Sequence, residues 1–161
     1  AAFFLVQHMP ANFSAAYINR LSDSCQLKVV EAKAGTKIEP GYCYVGGGGR
    51  HLNVVKTSGG DVVIRLTTRP EHLFVPSVSV MMDSVLSVYG KQTIGVIMTG
   101  MGNDGADSMV RIRQAGGATI AESEESAIVF GMPGDTIKRG GAQIIAPIWD
   151  IAGEIVKAVG R

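Results

Sequence analysis

The sequence predicts an α/β fold: a doubly wound, mostly parallel sheet with helices on both faces and a small antiparallel β insert at about residues 40–67. Through most of the chain, short apolar runs of strand length alternate with segments of helical periodicity, which is the order that builds parallel βαβ units. The insert differs, because glycine-rich turns separate pieces rich in Val and Ile, as in antiparallel strands. With 161 residues and no internal repeat, a single domain accounts for the chain.

Apolar spacing and turn residues predict the elements of the amino-terminal half. Residues 2–6 are too short and too uniformly apolar for an amphipathic helix, so they predict a buried strand. Asn12 is expected to cap a helix over about 13–24, and a strand near 27–32 follows it. The apolar face of this helix is predicted to hold Phe13, Ala16, Tyr17 and Leu21. The insert is predicted to contain strands at 42–45, 51–55 and 61–67, the last two joined as a hairpin through residues 57–60.

In the carboxyl-terminal half the alternation of strands and helices returns. Ser77 is expected to cap a helix that runs to about residue 89 and ends at Gly90. A strand at 93–98 leads into a glycine-rich loop, and a helix then runs to Ala115. The remaining predicted elements are a strand at 118–122, a short strand that ends at Phe130, a helix after Pro133, a strand at 142–146 and a helix at 148–159.

Composition excludes several classes of protein. At 46% hydrophobic and 18% charged residues, the chain is expected to fold rather than to be disordered. Its 15 basic and 14 acidic residues give a net charge of +1, which does not favour a nucleic-acid binder or a polybasic membrane-surface protein. We find neither a targeting segment nor an apolar run of the ~18 residues that a membrane helix needs. Cys25 and Cys43 lack zinc-site spacing, so we expect reduced thiols in a cytoplasmic protein without a metal.

His8 is the first candidate for a catalytic role. Ligands of open parallel sheets bind at the carboxyl ends of the strands, and His8 directly follows the first predicted strand. Pro10 delays the start of the next helix, so the imidazole is expected at this edge, with a pKa suited to proton transfer near neutrality. A lone histidine is more often structural, and that alternative stays open for His8. His51 and His72 lie in or beside the insert and are interpreted as surface or packing residues.

Asp104 is the second candidate, in the loop Thr99–Gly105. The simpler interpretation is a helix N-cap, a position that Asp favours. The surrounding glycines at 100, 102 and 105 instead indicate a loop whose backbone N–H groups can face a developing negative charge. The same glycines have the G-x-G-x-x-G spacing of dinucleotide sites, but only Glu122 comes near the required acidic position, so that signal is weak.

A histidine and a carboxylate at strand ends form two parts of a nucleophilic triad. The third part should be a Ser or Cys on a strand-to-helix turn, but the sequence contains no G-x-S-x-G. Ser58 is flanked by glycine but lies in the predicted hairpin, and neither cysteine has the required surroundings. The residues therefore provide a candidate base and a candidate carboxylate without a nucleophile.

Several motifs resemble one known family. The segments concerned are Gln7–Pro10, Gly49–Leu52, Thr99–Gly105, Arg113–Gly117 and Val129–Pro133. In sequence and order they are similar to the catalytic domain of the bacterial chemotaxis protein-glutamate methylesterase. The resemblance implies a serine hydrolase that removes methyl groups from γ-glutamyl methyl esters on the cytoplasmic helices of chemoreceptors, and that also deamidates certain receptor glutamines. It implies no cofactor.

The resemblance also assigns roles to residues. His8 matches the general base, Asp104 the carboxylate that orients it, and the backbone N–H of Met101 one donor of the oxyanion hole. The family's serine lies upstream in a Ser-Thr-Gly-Gly turn, which residues 1–161 do not contain. We therefore expect a single catalytic domain that lacks its first strand, turn and helix and the family's receiver domain, and a 161-residue chain that is inactive. Gly47 and Ser79 depart from the family's usual proline and aspartate.

Two alternatives remain beside the enzyme. One is a non-catalytic, receptor-binding or regulatory relative that is natural in this short form. The other is a nucleotide-binding α/β domain that uses the loop Gly100–Gly105.

Overall fold

The structure is a computed structural model that describes residues 1–160. Its backbone forms two compact units, one from Ala1 to Ser84 and one from Val85 onwards. The strands are β1 (Phe3–Leu5), β2 (Lys28–Glu31), β3 (Tyr42–Val45), β4 (His51–Lys56), β5 (Val62–Thr67), β6 (Ile94–Ile97), β7 (Ala118–Glu122) and β8 (Ile144–Ala146). The helices are α1 (Ser14–Ser24), α2 (Val78–Tyr89), α3 (Ala106–Gln114), α4 (Met132–Lys138) and α5 (Ile148–Val159). Among residues 1–160, no helix has the length and hydropathy needed to cross a bilayer.

The amino-terminal unit contains a three-stranded parallel sheet in the order β1-β3-β2. Its core is formed by Ile18, Val29 and Val45, against which Tyr17 and Leu21 of α1 pack. The predicted helix is therefore present, but Ile18 replaces Phe13 and Ala16 on its buried face, and Phe13 is exposed.

The predicted cap of α1 is wrong. Residues Ala11–Phe13 form a 3₁₀ turn, so Asn12 lies inside this turn rather than at the helix boundary. Phe13 occupies the N-cap position with helical backbone angles, and no side-chain hydrogen bond caps the helix. The 3₁₀ turn leads directly into α1, which leaves no extended residue in the position where an Asn side chain would act as a cap.

The antiparallel part of the unit begins later than predicted. β3, expected within the insert, pairs parallel with β1 on one side and β2 on the other. Tyr44 and Val45 are buried, as expected for a central parallel strand. Among the strands of residues 1–160, β4 and β5 are the antiparallel pair, and they form the predicted hairpin, with register from His51↔Thr67 to Lys56↔Val62.

The carboxyl-terminal unit contains the parallel sheet β6-β7-β8. Its core includes Ile120, Ala146 and Ile151. The predicted strand that ends at Phe130 is not formed, because this residue makes only an isolated bridge with Gly100. Parallel sheets with helices and a small antiparallel pair agree with the predicted fold class, while the single-domain assignment stays a prediction.

The predicted start of α2 is confirmed. The Val80 N–H donates to Ser77 Oγ at 3.3 Å, so Ser77 caps the helix as expected. The next residue after the helix is Gly90, which has a φ of +53°.

Candidate active site

His8 lies where the sequence predicts, just beyond the carboxyl end of β1. Its imidazole is half-buried and stacks on Phe74, with ring centroids 4.2 Å apart and an interplanar angle of 15°. Stacking covers a face of the ring, whereas the two nitrogens that exchange protons lie on its edge. A cavity of about 280 Å³ lies beside the ring, and its other lining residues are apolar: Met9, Pro10, Leu73, Phe74, Val75 and Pro76.

Asp104 lies in the other compact unit, in the loop between β6 and α3. It is only 4% exposed. The N-cap of α3 is Gly105, with a φ of +93° and no side-chain cap hydrogen bond, so the N-cap interpretation of Asp104 is wrong. The structure thus places a buried carboxylate at the carboxyl end of a parallel strand, where the sequence predicts a catalytic group.

Met101 offers a hydrogen-bond donor in the same loop. The residue is 77% exposed, and no hydrogen bond among residues 1–160 occupies its backbone N–H. The next residue, Gly102, has a φ of +89°, a conformation that an L side chain rarely adopts. A backbone N–H held in such a glycine turn is suited to binding an oxyanion.

Two contacts hold the start of this loop. The Thr99 N–H donates to Glu122 Oε2 at 2.7 Å, and the Gly100 N–H donates to the Val129 oxygen at 3.0 Å. Gly131 lets the second segment approach, because a Cβ there would lie 2.7 Å from the Gly100 oxygen. The motif Val129–Pro133 therefore has a structural purpose: its backbone lies directly against the loop that carries Met101.

Glu122 holds the start of the loop Thr99–Gly105, although the sequence indicated it only as a weak candidate for a ribose-binding acid. It is 0% exposed, and Ser126 Oγ donates to its second oxygen at 2.8 Å. Both oxygens are thus engaged within the unit, which argues against the dinucleotide interpretation. The sequence feature that could have indicated this role is a charged residue at the end of a predicted buried strand.

The sequence indicated a surface or packing role for His51 and no role for Phe74. His51 is fully buried and bonded through both ring nitrogens, in agreement with the packing role expected of it. Phe74 gives no sequence signal, because its stacking on His8 depends on the path of a loop.

The cysteines are free thiols, with Cys25 exposed and Cys43 partly buried. Burial, and then the nearby Cys25, raises the pKa of Cys43 to about 11. A thiol with so high a pKa is almost wholly protonated near neutral pH and is a poor nucleophile. Among residues 1–160, no group of three or more His, Cys, Asp or Glu side chains is arranged to hold a metal ion.

Comparison with known proteins assigns the family. The model of the CheB methylesterase family matches residues 1–155. The chain belongs to the CheB methylesterase family. The resemblance predicted from its motifs is therefore confirmed.

Relatives of this CheB methylesterase family member extend well beyond the matched region. A protein-glutamate methylesterase/protein-glutamine glutaminase of Syntrophomonas wolfei is 71% identical over 161 residues, which are 100% of this chain and 46% of the relative. One of Caldanaerobacter subterraneus is 49% identical over 162 residues, covering 99% of this chain and 44% of the relative. The chain thus spans about half the length of the curated relatives it matches.

A solved structure confirms the fold class. The CheB methylesterase catalytic domain of Thermotoga maritima is 34% identical to this family member and superposes with a TM-score of 0.91. The match covers 96% of this chain and 82% of that one. The α/β fold with parallel sheets and a small antiparallel pair is therefore the fold of CheB catalytic domains.

Proposed function

We propose that residues 1–161 supply the general base, the orienting carboxylate and one oxyanion donor of a serine hydrolase that acts on methylated chemoreceptors. The reaction is hydrolysis of γ-glutamyl methyl esters, with deamidation of glutamines as the related reaction. The observation that carries the proposal is the placement of His8 and of the Asp104 loop at the carboxyl ends of parallel strands in a CheB methylesterase family member.

In the proposed mechanism a serine attacks the ester carbonyl while His8 accepts its proton and Asp104 stabilises the imidazolium. The Met101 N–H binds the oxyanion, a contribution that is typically worth roughly 10²–10³-fold in kcat. His8 then gives its proton to the leaving methanol, and a water molecule hydrolyses the acyl-enzyme by the same route. For a glutamine substrate, ammonia leaves in place of methanol.

The serine is proposed to come from outside residues 1–161, which contain no Ser-Thr-Gly-Gly turn. A polypeptide made of these residues alone is therefore proposed to be inactive. The proposed partners are the cytoplasmic helices of chemoreceptors and a receiver domain, in the cytoplasm. The length of the curated relatives beyond the matched region supports such a further domain.

The test compares two polypeptides, the complete reading frame that contains these residues and residues 1–161 alone. We expect the complete product to release methanol from methylated receptor, and residues 1–161 alone to release none. His8→Gln and Asp104→Asn in the complete product should each lower kcat by roughly 10⁴-fold. Asp107→Asn is the matched control, because that carboxylate is 63% exposed and lies three residues along the chain.

A second candidate function is that of a non-catalytic, receptor-binding relative. Receptor binding by the complete product without methanol release would support this alternative and overturn the esterase. Turnover by residues 1–161 alone would instead overturn the external origin of the nucleophile.

A further inference from the structure

One buried histidine connects both ends of a loop in the amino-terminal unit. The imidazole of His51, the first residue of β4, is 0% exposed. Its Nε2 lies 3.0 Å from the Pro70 oxygen, and its Nδ1 lies 3.1 Å from the Ser77 nitrogen. Pro70 and Ser77 stand near the two ends of the segment that joins β5 to α2. A single ring therefore bridges the base of this loop.

The two partners determine where the ring carries its proton. A backbone N–H is always a donor, so Nδ1 of His51 accepts the hydrogen bond from Ser77. A carbonyl oxygen is always an acceptor, so Nε2 carries the proton that it donates to Pro70. His51 is thus the neutral Nε2–H tautomer with both nitrogens engaged. This arrangement is suited to holding backbone in place and leaves neither nitrogen for substrate.

The loop that His51 bridges carries the aromatic neighbour of His8. Phe74 stacks on the His8 ring at 4.2 Å, nearly parallel to it. The Phe74 N–H donates to Nδ1 of His72 at 3.2 Å, and the His72 ring meets the His51 ring edge-on at 6.3 Å. Near the end of the loop, the Gly49 N–H donates to the Val75 oxygen at 3.1 Å. A continuous set of contacts therefore runs from His51 through the loop to His8.

We propose that His51 is a positioning residue for His8: by holding Pro70 and Ser77, it keeps Phe74 stacked on the His8 imidazole and so fixes the plane of that ring. The proposal rests on the proposed role of His8 as general base. A general base must point a ring nitrogen at its proton within hydrogen-bond reach, so rotation of the ring lowers the rate even when the residue is present.

The experiment is NMR of the ¹⁵N-labelled 161-residue chain, which needs no catalytic activity. A ring that stacks face to face on Phe74 has its carbon-bound protons shifted upfield, so the His8 ring protons report the stack directly. Phe74→Leu defines the shift of an unstacked His8. His51→Gln keeps a side-chain N–H donor for Pro70, but its amide oxygen is attached one carbon farther along the side chain than Nδ1, so it does not replace the acceptor for Ser77 at the same position. Val29→Ala, in the core formed with Ile18 and Val45, is the control for general loosening of the unit.

We expect His51→Gln to lose most of the upfield shift that Phe74→Leu abolishes, and Val29→Ala to keep it at a similar loss of Tm. An unchanged His8 signal in His51→Gln would overturn the proposal, as would an equal loss in Val29→Ala. In the complete reading frame, His51→Gln should lower kcat with little change in KM. A change in KM with an unchanged kcat in His51→Gln would also contradict the proposed positioning role of His51.

A measurement on the unaltered chain keeps the proposal testable if His51→Gln fails to fold. The imidazole ¹⁵N shifts of His51 should show a protonated Nε2 and an unprotonated Nδ1, with scalar coupling from the Ser77 N–H across the hydrogen bond to Nδ1. The opposite tautomer, or no such coupling, would overturn the proposal. Because these signals need no turnover, a failure of the proposed esterase function is recognised separately by the absence of methanol release.

Discussion

Fully buried polar side chains hold the loops that carry the candidate catalytic groups. Glu122 is the carboxylate among them, and it accepts hydrogen bonds from the Thr99 N–H and from Ser126 Oγ. Burying a carboxylate is costly unless its oxygens are hydrogen-bonded, so these partners explain how Glu122 is tolerated at 0% exposure. Ser126 Oγ also accepts from the Ile148 N–H at the start of α5. One carboxylate thus connects the loop Thr99–Gly105, through Ser126, to the first turn of a helix.

Replacing Glu122 should release the start of this loop. Glu122→Ala removes the acceptor of the partly buried hydrogen bond from the Thr99 N–H, which we expect to cost about 1 kcal/mol in the free energy of unfolding. Glu122→Gln retains an oxygen that can accept this hydrogen bond, so its cost should be smaller. Urea unfolding measures the free energies, and hydrogen exchange of the Thr99 amide measures the local release.

The exposed neighbour Glu124 provides the control for the loss of a negative charge. Glu124→Ala should change the free energy of unfolding by no more than about 0.5 kcal/mol. Protection of the Thr99 amide that survives in Glu122→Ala would show that Glu122 does not hold the loop.

At the scale of elements, local sequence patterns predicted which segments form helices or strands better than they predicted which strands pair with each other. The cap at Ser77 and helix α5 at 148–159 follow from residues close together in the sequence, and both are confirmed. The partners of β3 could not be predicted, because its place between β1 and β2 depends on pairing with segments far along the chain. Asn12 failed as a cap for a local reason: a 3₁₀ turn occupies the residues around it.

Gly131 lies where a second backbone segment approaches the loop Thr99–Gly105 closely. Its φ is −79°, which alanine adopts readily, so a substitution there acts only through the space the new Cβ needs. That atom would lie 2.7 Å from the Gly100 oxygen and 3.0 Å from the Gly102 nitrogen. We expect Gly131→Ala to displace the loop, seen as changed amide shifts at residues 100–102, and to lower kcat of the complete product at least tenfold.

Gly153 in α5 is the matched control for Gly131, because an added Cβ there meets no atom within 4 Å. Gly153→Ala should leave the amide shifts of the loop unchanged and raise the free energy of unfolding by about 0.5–1 kcal/mol, the usual gain for alanine over glycine inside a helix. Unchanged loop shifts in Gly131→Ala would show that the approach of the two segments does not shape the loop.

For the whole molecule, the alternation of strands and helices was enough to predict the fold class, since each element reflects its own apolar periodicity. The positions of His8 and Asp104 at strand ends were also predictable, because strand ends are visible in the sequence. The contacts around them could not be predicted, because they join residues far apart in the chain. Phe74 stacks on His8, and Glu122 accepts a hydrogen bond from Thr99 at the start of the Asp104 loop. The hydrogen bonds to both Glu122 oxygens argue against a nucleotide loop, and the glycines of the loop alone could not show this.

The alternative of nucleotide binding can be tested on the whole chain, because a bound nucleotide would raise its Tm. A ligand at 100 times its Kd stabilises the folded state by about 2.7 kcal/mol. In a chain of this size each kcal/mol raises Tm by roughly 2–4 °C, so such binding would be plain in a thermal scan. We expect ATP and NAD to leave Tm unchanged, because Glu122 is buried and both its oxygens are engaged within the unit. Inorganic phosphate at matched ionic strength controls for salt, and a saturable rise with a nucleotide but not with phosphate would mean that the loop Gly100–Gly105 serves nucleotide binding.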